Sequence, residues 1–353
     1  MTSTDRTTLA VRSPADLIAA VPFLLGFHPA DSVVVVALRG KRVVFAARAD
    51  LPEPGDRAGA DTAAGYLADV IGLQRADAAL VLGYGPAERV TPVIDTVGTA
   101  VDLAGLCVLD LLRITDGRYW SYCCTDPGCC PPDGVPFDPS ASEVTATAVF
   151  AGQVALPDRT ALAALVAPVE AAARDAMRQA TERAEDRLVT LLDTAPAGDL
   201  LGGRAVRDAG AAAVRAALDP TRDPAGLSDD EVAWLSLLLR HIPVRDHAWE
   251  HTDGEERHLA LWTDVLRRAD PELAAAPGCL LAFAAWRCGQ GALAVVALER
   301  ALAAQPDYSM ALLLDDVLRR GVQPSALGAW PKPPAPGPRR RRSRRRRQRR
   351  GSG

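Results

Sequence analysis

Residues 33–49 read VVVVALRGKRVVFAARA. Two β-branched runs, 33–38 and 43–49, flank the polar RGKR segment, and that pattern predicts a β-hairpin. Just upstream, Ser13-Pro14-Ala15-Asp16 marks a helix start, with a capping serine, a proline at the first helical position and an acid near the positive dipole end. A short helix to about Val21 follows. Downstream, helical spacing over about 61–73 precedes the apolar strand AALVLGYG, and a helix over about 87–103 precedes the strand LCVLDLLRI. DGRYWSY then turns into a further strand. Strands alternating with helices predict an α/β domain with a mixed, partly parallel sheet.

Beyond residue 142 the character changes, and a helical period runs to about 320. Ser228 and Glu231 have the spacing of a capping box. The reading is therefore an α/β domain over 1–140 ending in a Cys-rich loop, a helical domain over 141–325, and a Pro-rich linker with a disordered basic tail over 326–353. Within the helical part, Gly289 is followed by Ala294, Leu298, Ala301 and Pro306 at the spacings of a tetratricopeptide-like hairpin. One such unit is expected to pack on its neighbours and to offer a protein-binding surface.

The composition agrees with this outline. A chain of 353 residues suits two domains, and 48% apolar with only 5% aromatic residues favours helices over a β-sandwich. Ten arginines between Arg339 and Arg350 contribute ten of the positive charges, so a formal net charge of −4 leaves residues 1–338 at −14. The first 29 residues lack the cationic start and clean apolar core of a secretory signal, and no run reaches the roughly 18 apolar residues of a membrane span. The expectation is a cytoplasmic protein with no membrane contact. In a reducing compartment, and with an odd count of seven cysteines, stable disulfides are not expected.

Four of those cysteines lie in CCTDPGCCPPDG, residues 123–134. Zinc favours tetrahedral thiolate or imidazole sets with short ligand spacings. The Asp126-Pro127-Gly128 turn can fold Cys124 back toward Cys129 and Cys130, which makes these three the metal candidates. A fourth ligand would come from Cys123, His28 or Asp133. A reversible disulfide is a further reading, and a structural turn with packed thiols is the reading preferred to both.

Other motifs weigh less. HAWEH, residues 247–251, matches the H-x-x-E-H pattern of inverted zinc peptidases. Pro243 and Asp253-Gly254 leave it barely two turns, so a coincidental match on a polar helix face is preferred. VLGYGPAER puts Gly83 and Gly85 between strand and helix, but Glu88 occupies the third position of a G-x-G-x-x-G pattern, and an ordinary turn explains it better. The GFHPADS loop joins the first helix to the first strand. Its His28, Asp31 and Ser32 are the ligand-binding candidates, set against a role in satisfying nearby backbone amides. No Ser-His-acid triad can be assembled, and no catalytic residues are assigned.

The basic tail is Arg339, Arg340, Arg341, Arg342, Arg344, Arg345, Arg346, Arg347, Arg349 and Arg350. Such a block binds nucleic acid or another polyanion through phosphate contacts with little base selectivity, and it lacks interleaved aromatics for stacking. Contact with the acidic body and a terminus without function are the other readings.

The segments SPADLIAAVPFLLGFHPADSVVVVALRG, DGRYWSY, CCPPDGVPFDP, ALPDR, LSDDEVAWL, LWTDVLRRA and LLAFAAWRCGQGALA together resemble an actinobacterial family known as domain of unknown function 4192. The resemblance covers roughly residues 9–324 and leaves the basic tail outside. It implies no established activity, substrate or cofactor. The functional expectation is a non-catalytic interaction or scaffold protein. The alternative is a small-ligand-binding protein or enzyme built on the α/β domain, with zinc in the Cys-rich loop.

Overall fold

A computed structural model describes residues 13–199, 202–221 and 226–327. The predicted hairpin is present as β1 (Ser32–Arg39) and β2 (Arg42–Asp50), joined through Gly40 and Lys41. The polypeptide enters it from α1 (Pro14–Leu25), whose Ser13 cap bonds the Asp16 amide. This helix runs four residues beyond the predicted end. Pro22 sits inside it, and burial of Leu17, Ile18 and Val21 outweighs the one backbone bond that proline forgoes.

After the hairpin come α2 (Arg57–Gly72), β3 (Ala78–Tyr84), α3 (Ala87–Leu103), β4 (Cys107–Thr115), β5 (Arg118–Ser121) and the two-residue β6 (Val135–Pro136). Together the strands form a six-stranded mixed sheet in the order β2-β1-β3-β4-β5-β6, in which β3 and β4 pair in parallel across the α3 crossover. The uninterrupted valine run of β1 now has its reason. Val33, Val35 and Ala37 face α2 and α3, while Val34 and Val36 pack with Leu17, Ile18 and Val21 of α1. A strand covered on both faces has no polar side to alternate with.

From Ser142 onward the described elements of more than one turn are helices: α4 (Glu143–Phe150), α5 (Arg159–Ala164), α6 (Ala171–Asp193), α7 (Gly203–Ala217), α8 (Asp229–Leu238), α9 (Ile242–Glu250), α10 (Glu256–Arg268), α11 (Ala275–Arg287), α12 (Gly291–Ala304) and α13 (Ser309–Arg319). The Ser228–Glu231 capping box opens α8. Every residue of α11 from Ala275 to Trp286 is buried, so this helix, apolar all round, is the centre of the helical layer. With α12 it forms a helical hairpin about Gly289.

Two contacts tie the helical layer to the sheet. Phe27 bridges Leu156, with the His28 amide donating to the Leu156 carbonyl at 2.9 Å. At the other side, buried Gln74 donates to the Gly321 carbonyl at 2.9 Å and accepts from Gln323 at 2.8 Å. Among the described residues no helix is long and apolar enough to cross a membrane. The arginine block and the linker before it lie outside the described residues.

Candidate metal centre

The Cys-rich loop leaves β5 and returns through β6, so the sheet fixes both of its ends. Ser121 starts it. Its hydroxyl donates to Asp110 at 2.7 Å and accepts the amides of Cys123 and Cys124 at 3.2 and 3.0 Å. Asp126 makes the reversal: its carboxylate accepts the Gly128 amide, and its carbonyl accepts the amides of Cys129 and Cys130 at 3.1 and 2.7 Å. Short polar side chains that bond their own backbone are what such turns require.

The far side of the loop rests on one aromatic plate. Trp120 of β5 donates its indole N–H to the Pro132 carbonyl at 2.9 Å, and the Arg113 guanidinium lies 3.6 Å from its ring centroid on one side. Gly134 closes against the same ring with φ of 78°, and a Cβ there would come within 2.5 Å of the indole. Arg118 bonds the carbonyls of Asp133 and Gly134.

This scaffold brings Cys124, Cys129 and Cys130 together, with their sulfur atoms all within 4.8 Å of one another. All seven cysteines are free thiols. Hydrogen bonding among the three sulfurs divides the proton unequally. The Cys124 thiol is held below the usual cysteine range, chiefly by the Cys130 thiol bonding to it and then by the Asp126 backbone. Cys130 is pushed up, because its proton is held by Cys124 and because its site is less hydrated. Three sulfurs brought together on one loop are a donor set for zinc or another thiophilic ion, which would take a fourth ligand from elsewhere. Cys123 stays outside the cluster, its thiol lying against Asp110. His28 and Asp133, the other candidates for a fourth ligand, stay outside it too.

The ligand-binding candidates of the GFHPADS loop lie at the end of the sheet where β3 finishes and β1 begins. Asp31, with φ of 42°, receives a hydrogen bond from Arg89 at 2.5 Å, and its carbonyl accepts the Leu51 amide. Ser32 is the buried first residue of β1, and His28 is exposed. The sequence reading missed what surrounds them. Ser32 Oγ, Tyr84 Oη, Arg48 Nε and Arg89 Nε are buried without a hydrogen-bond partner. Ser32 and Tyr84 are direct partners across β1 and β3. Burial alone pushes the Tyr84 phenol far above its ordinary range. A pocket of about 370 Å³ lies elsewhere, among Arg240, Arg245, Glu272, Asp307 and Tyr308 of the helical layer.

No curated protein and no solved structure matches the chain. One family model does, over residues 14–325. That span starts at the first residue of α1 and ends just after α13, so it takes in the sheet, the thiol loop and the helical layer together. A match of this extent means that the chain belongs to the family described as Domain of unknown function (DUF4192).

Proposed function

We propose that the protein is a non-catalytic, metal-clipped interaction protein, in which Cys124, Cys129 and Cys130 hold a zinc-class ion. The observation that carries this reading is the convergence of the three sulfurs within 4.8 Å on a loop anchored at both ends by the sheet. Three protein thiolates leave a fourth tetrahedral position for a donor from outside the loop. Exposed apolar side chains support an interaction role: Phe150 is 95% exposed beside Val149 and Val154. The tetratricopeptide-like reading of the α11–α12 hairpin and the polyanion-binding reading of residues 339–350 belong to the same proposal. Purified protein should contain near-stoichiometric metal, and Cys124→Ser should lose metal and stability together, since structural metal binding is coupled to folding. A metal-free preparation that is fully folded would end this reading.

One observation favours a second reading, in which the α/β part binds a small ligand. Buried polar atoms are normally paired, yet Ser32 Oγ and Tyr84 Oη, on directly paired residues of β1 and β3, are buried without a partner where β3 ends. Ligands of open α/β sheets bind beyond the carboxyl ends of parallel strands. Two hydroxyls on one face can donate to a small carboxylate or phosphate. A thermal-shift screen of such anions on protein lacking residues 339–353 tests it: a stabilising anion should lose its effect in Ser32→Ala. If no anion stabilises the protein, the second reading fails.

A further inference from the structure

We propose that His247, Glu250 and His251 form a second metal site, suited to a borderline divalent d-block ion such as zinc, nickel or copper. The site is independent of the thiol loop, since it lies on α9 in the helical layer. His251 closes that helix, so the two histidines stand one turn apart on one face. Their rings lie 4.2 Å apart between centroids, and one donor atom from each of the three residues falls within 4.8 Å of the others.

Two features prepare the nitrogens as ligands. His251 Nδ1 lies 2.7 Å from the His247 carbonyl, and a carbonyl accepts only from a protonated ring nitrogen, so Nε2 carries the lone pair. His247 Nε2 is buried and has no hydrogen-bond partner. The charged groups facing His247 are Arg215, from the last turn of α7, and Glu250. Burial, then the neighbouring imidazole and Arg215, hold His247 below its usual range.

The position adds to this. The carbonyls at a helix C-terminus are the negative end of its dipole, and a cation is favoured there. Two imidazoles and one carboxylate select zinc, nickel or copper over magnesium or calcium, which prefer all-oxygen sets. Sequence spacing argued against the motif because the helix is short and no third acid was apparent. A helix of nine residues is nevertheless long enough for an i, i+4 pair, and the acid is Glu250 itself.

The test uses the full chain with Cys124, Cys129 and Cys130 all changed to serine, so that the thiols cannot contribute, under conditions where circular dichroism shows it folded; the native chain is titrated beside it and carries the same histidine comparison if the serine variant does not fold. Nickel is titrated calorimetrically, and copper-loaded protein is examined by electron paramagnetic resonance. The expected result is one equivalent of nickel bound, with affinity falling about tenfold or more in His247→Ala or His251→Ala. His28→Ala should leave binding unchanged. Copper signals should show nitrogen coupling from imidazole, a readout that needs no histidine variant to fold. Absence of nickel binding in the folded thiol-free chain, binding indifferent to His251→Ala in either chain, or a copper signal without nitrogen coupling would each overturn the proposal.

Discussion

Gly278 on α11 lies directly against Ala301 on α12: a Cβ placed on Gly278 would sit 2.9 Å from the Ala301 Cβ and 3.0 Å from the Ala297 carbonyl oxygen. Both residues are at the centre of the helical layer, and Ala294 and Ala301 are fully buried. Ala301→Leu should overpack this approach and lower stability by about 1–3 kcal/mol. Urea denaturation should show an earlier midpoint with an unchanged m-value. An unchanged midpoint would mean that the two helices can part without cost.

Gly134 tests the plate under the thiol loop. Gly134→Ala forces a side chain into a left-handed backbone and against the Trp120 ring, which is expected to cost on the order of 1–3 kcal/mol locally. The indole N–H resonance of Trp120 should shift as its bond to Pro132 is lost, and metal retention should fall with it. A resonance that does not move would show that the loop is held by its own turn.

Zinc loading should release protons. Cys124 is held toward the thiolate, but Cys130 is held toward the thiol, so a metal must displace the Cys130 proton near neutral pH. Apparent affinity should therefore rise with pH and fall as the medium is acidified. Calorimetry in two buffers of different ionisation enthalpy should give different observed heats. Equal heats would exclude Cys130 as a ligand.

The bond between Gln74 and Gly321 should carry much of the attachment of sheet to helices. Gln74→Ala leaves the Gly321 carbonyl buried without its donor, at a cost of roughly 1–3 kcal/mol. Gly321→Ala should also destabilise, since φ is 59° there and a Cβ would lie 2.6 Å from Val70. Hydrogen exchange should speed up at α2 and α13 ahead of the rest of the protein.

Deleting residues 339–353 should abolish binding to unrelated RNA and DNA sequences alike. For the intact chain, affinity for duplex DNA should fall with salt at a log–log slope of roughly −0.9 for each phosphate contacted. Binding that survives the deletion would place the contact on the body.

The elements with strong local signals were legible in the sequence: the hairpin, the helix over 87–103, and the capping box at Ser228. Local turn chemistry also marked Cys124, Cys129 and Cys130 as neighbours, because Asp126 and Gly128 enforce the reversal within a few residues. What escaped depends on distant partners. The extension of α1 past Pro22 is decided by burial against strands, and the meeting of Ser32 and Tyr84 is made by strand pairing across the sheet. No periodicity encodes such meetings. The histidine pair was visible as a motif but was given little weight, since spacing cannot show that His247 Nε2 lacks a partner.

Gln74 and Gly321 are 247 positions apart, and this separation has a consequence for the newborn chain. At 5–20 residues per second, a ribosome needs roughly 12–50 seconds to make the stretch between them. Throughout that interval Gln74 has no Gly321 to bond, and the Val70 and Phe45 side chains beside Gly321 lack that neighbour. The seam can close only after α13 has been made.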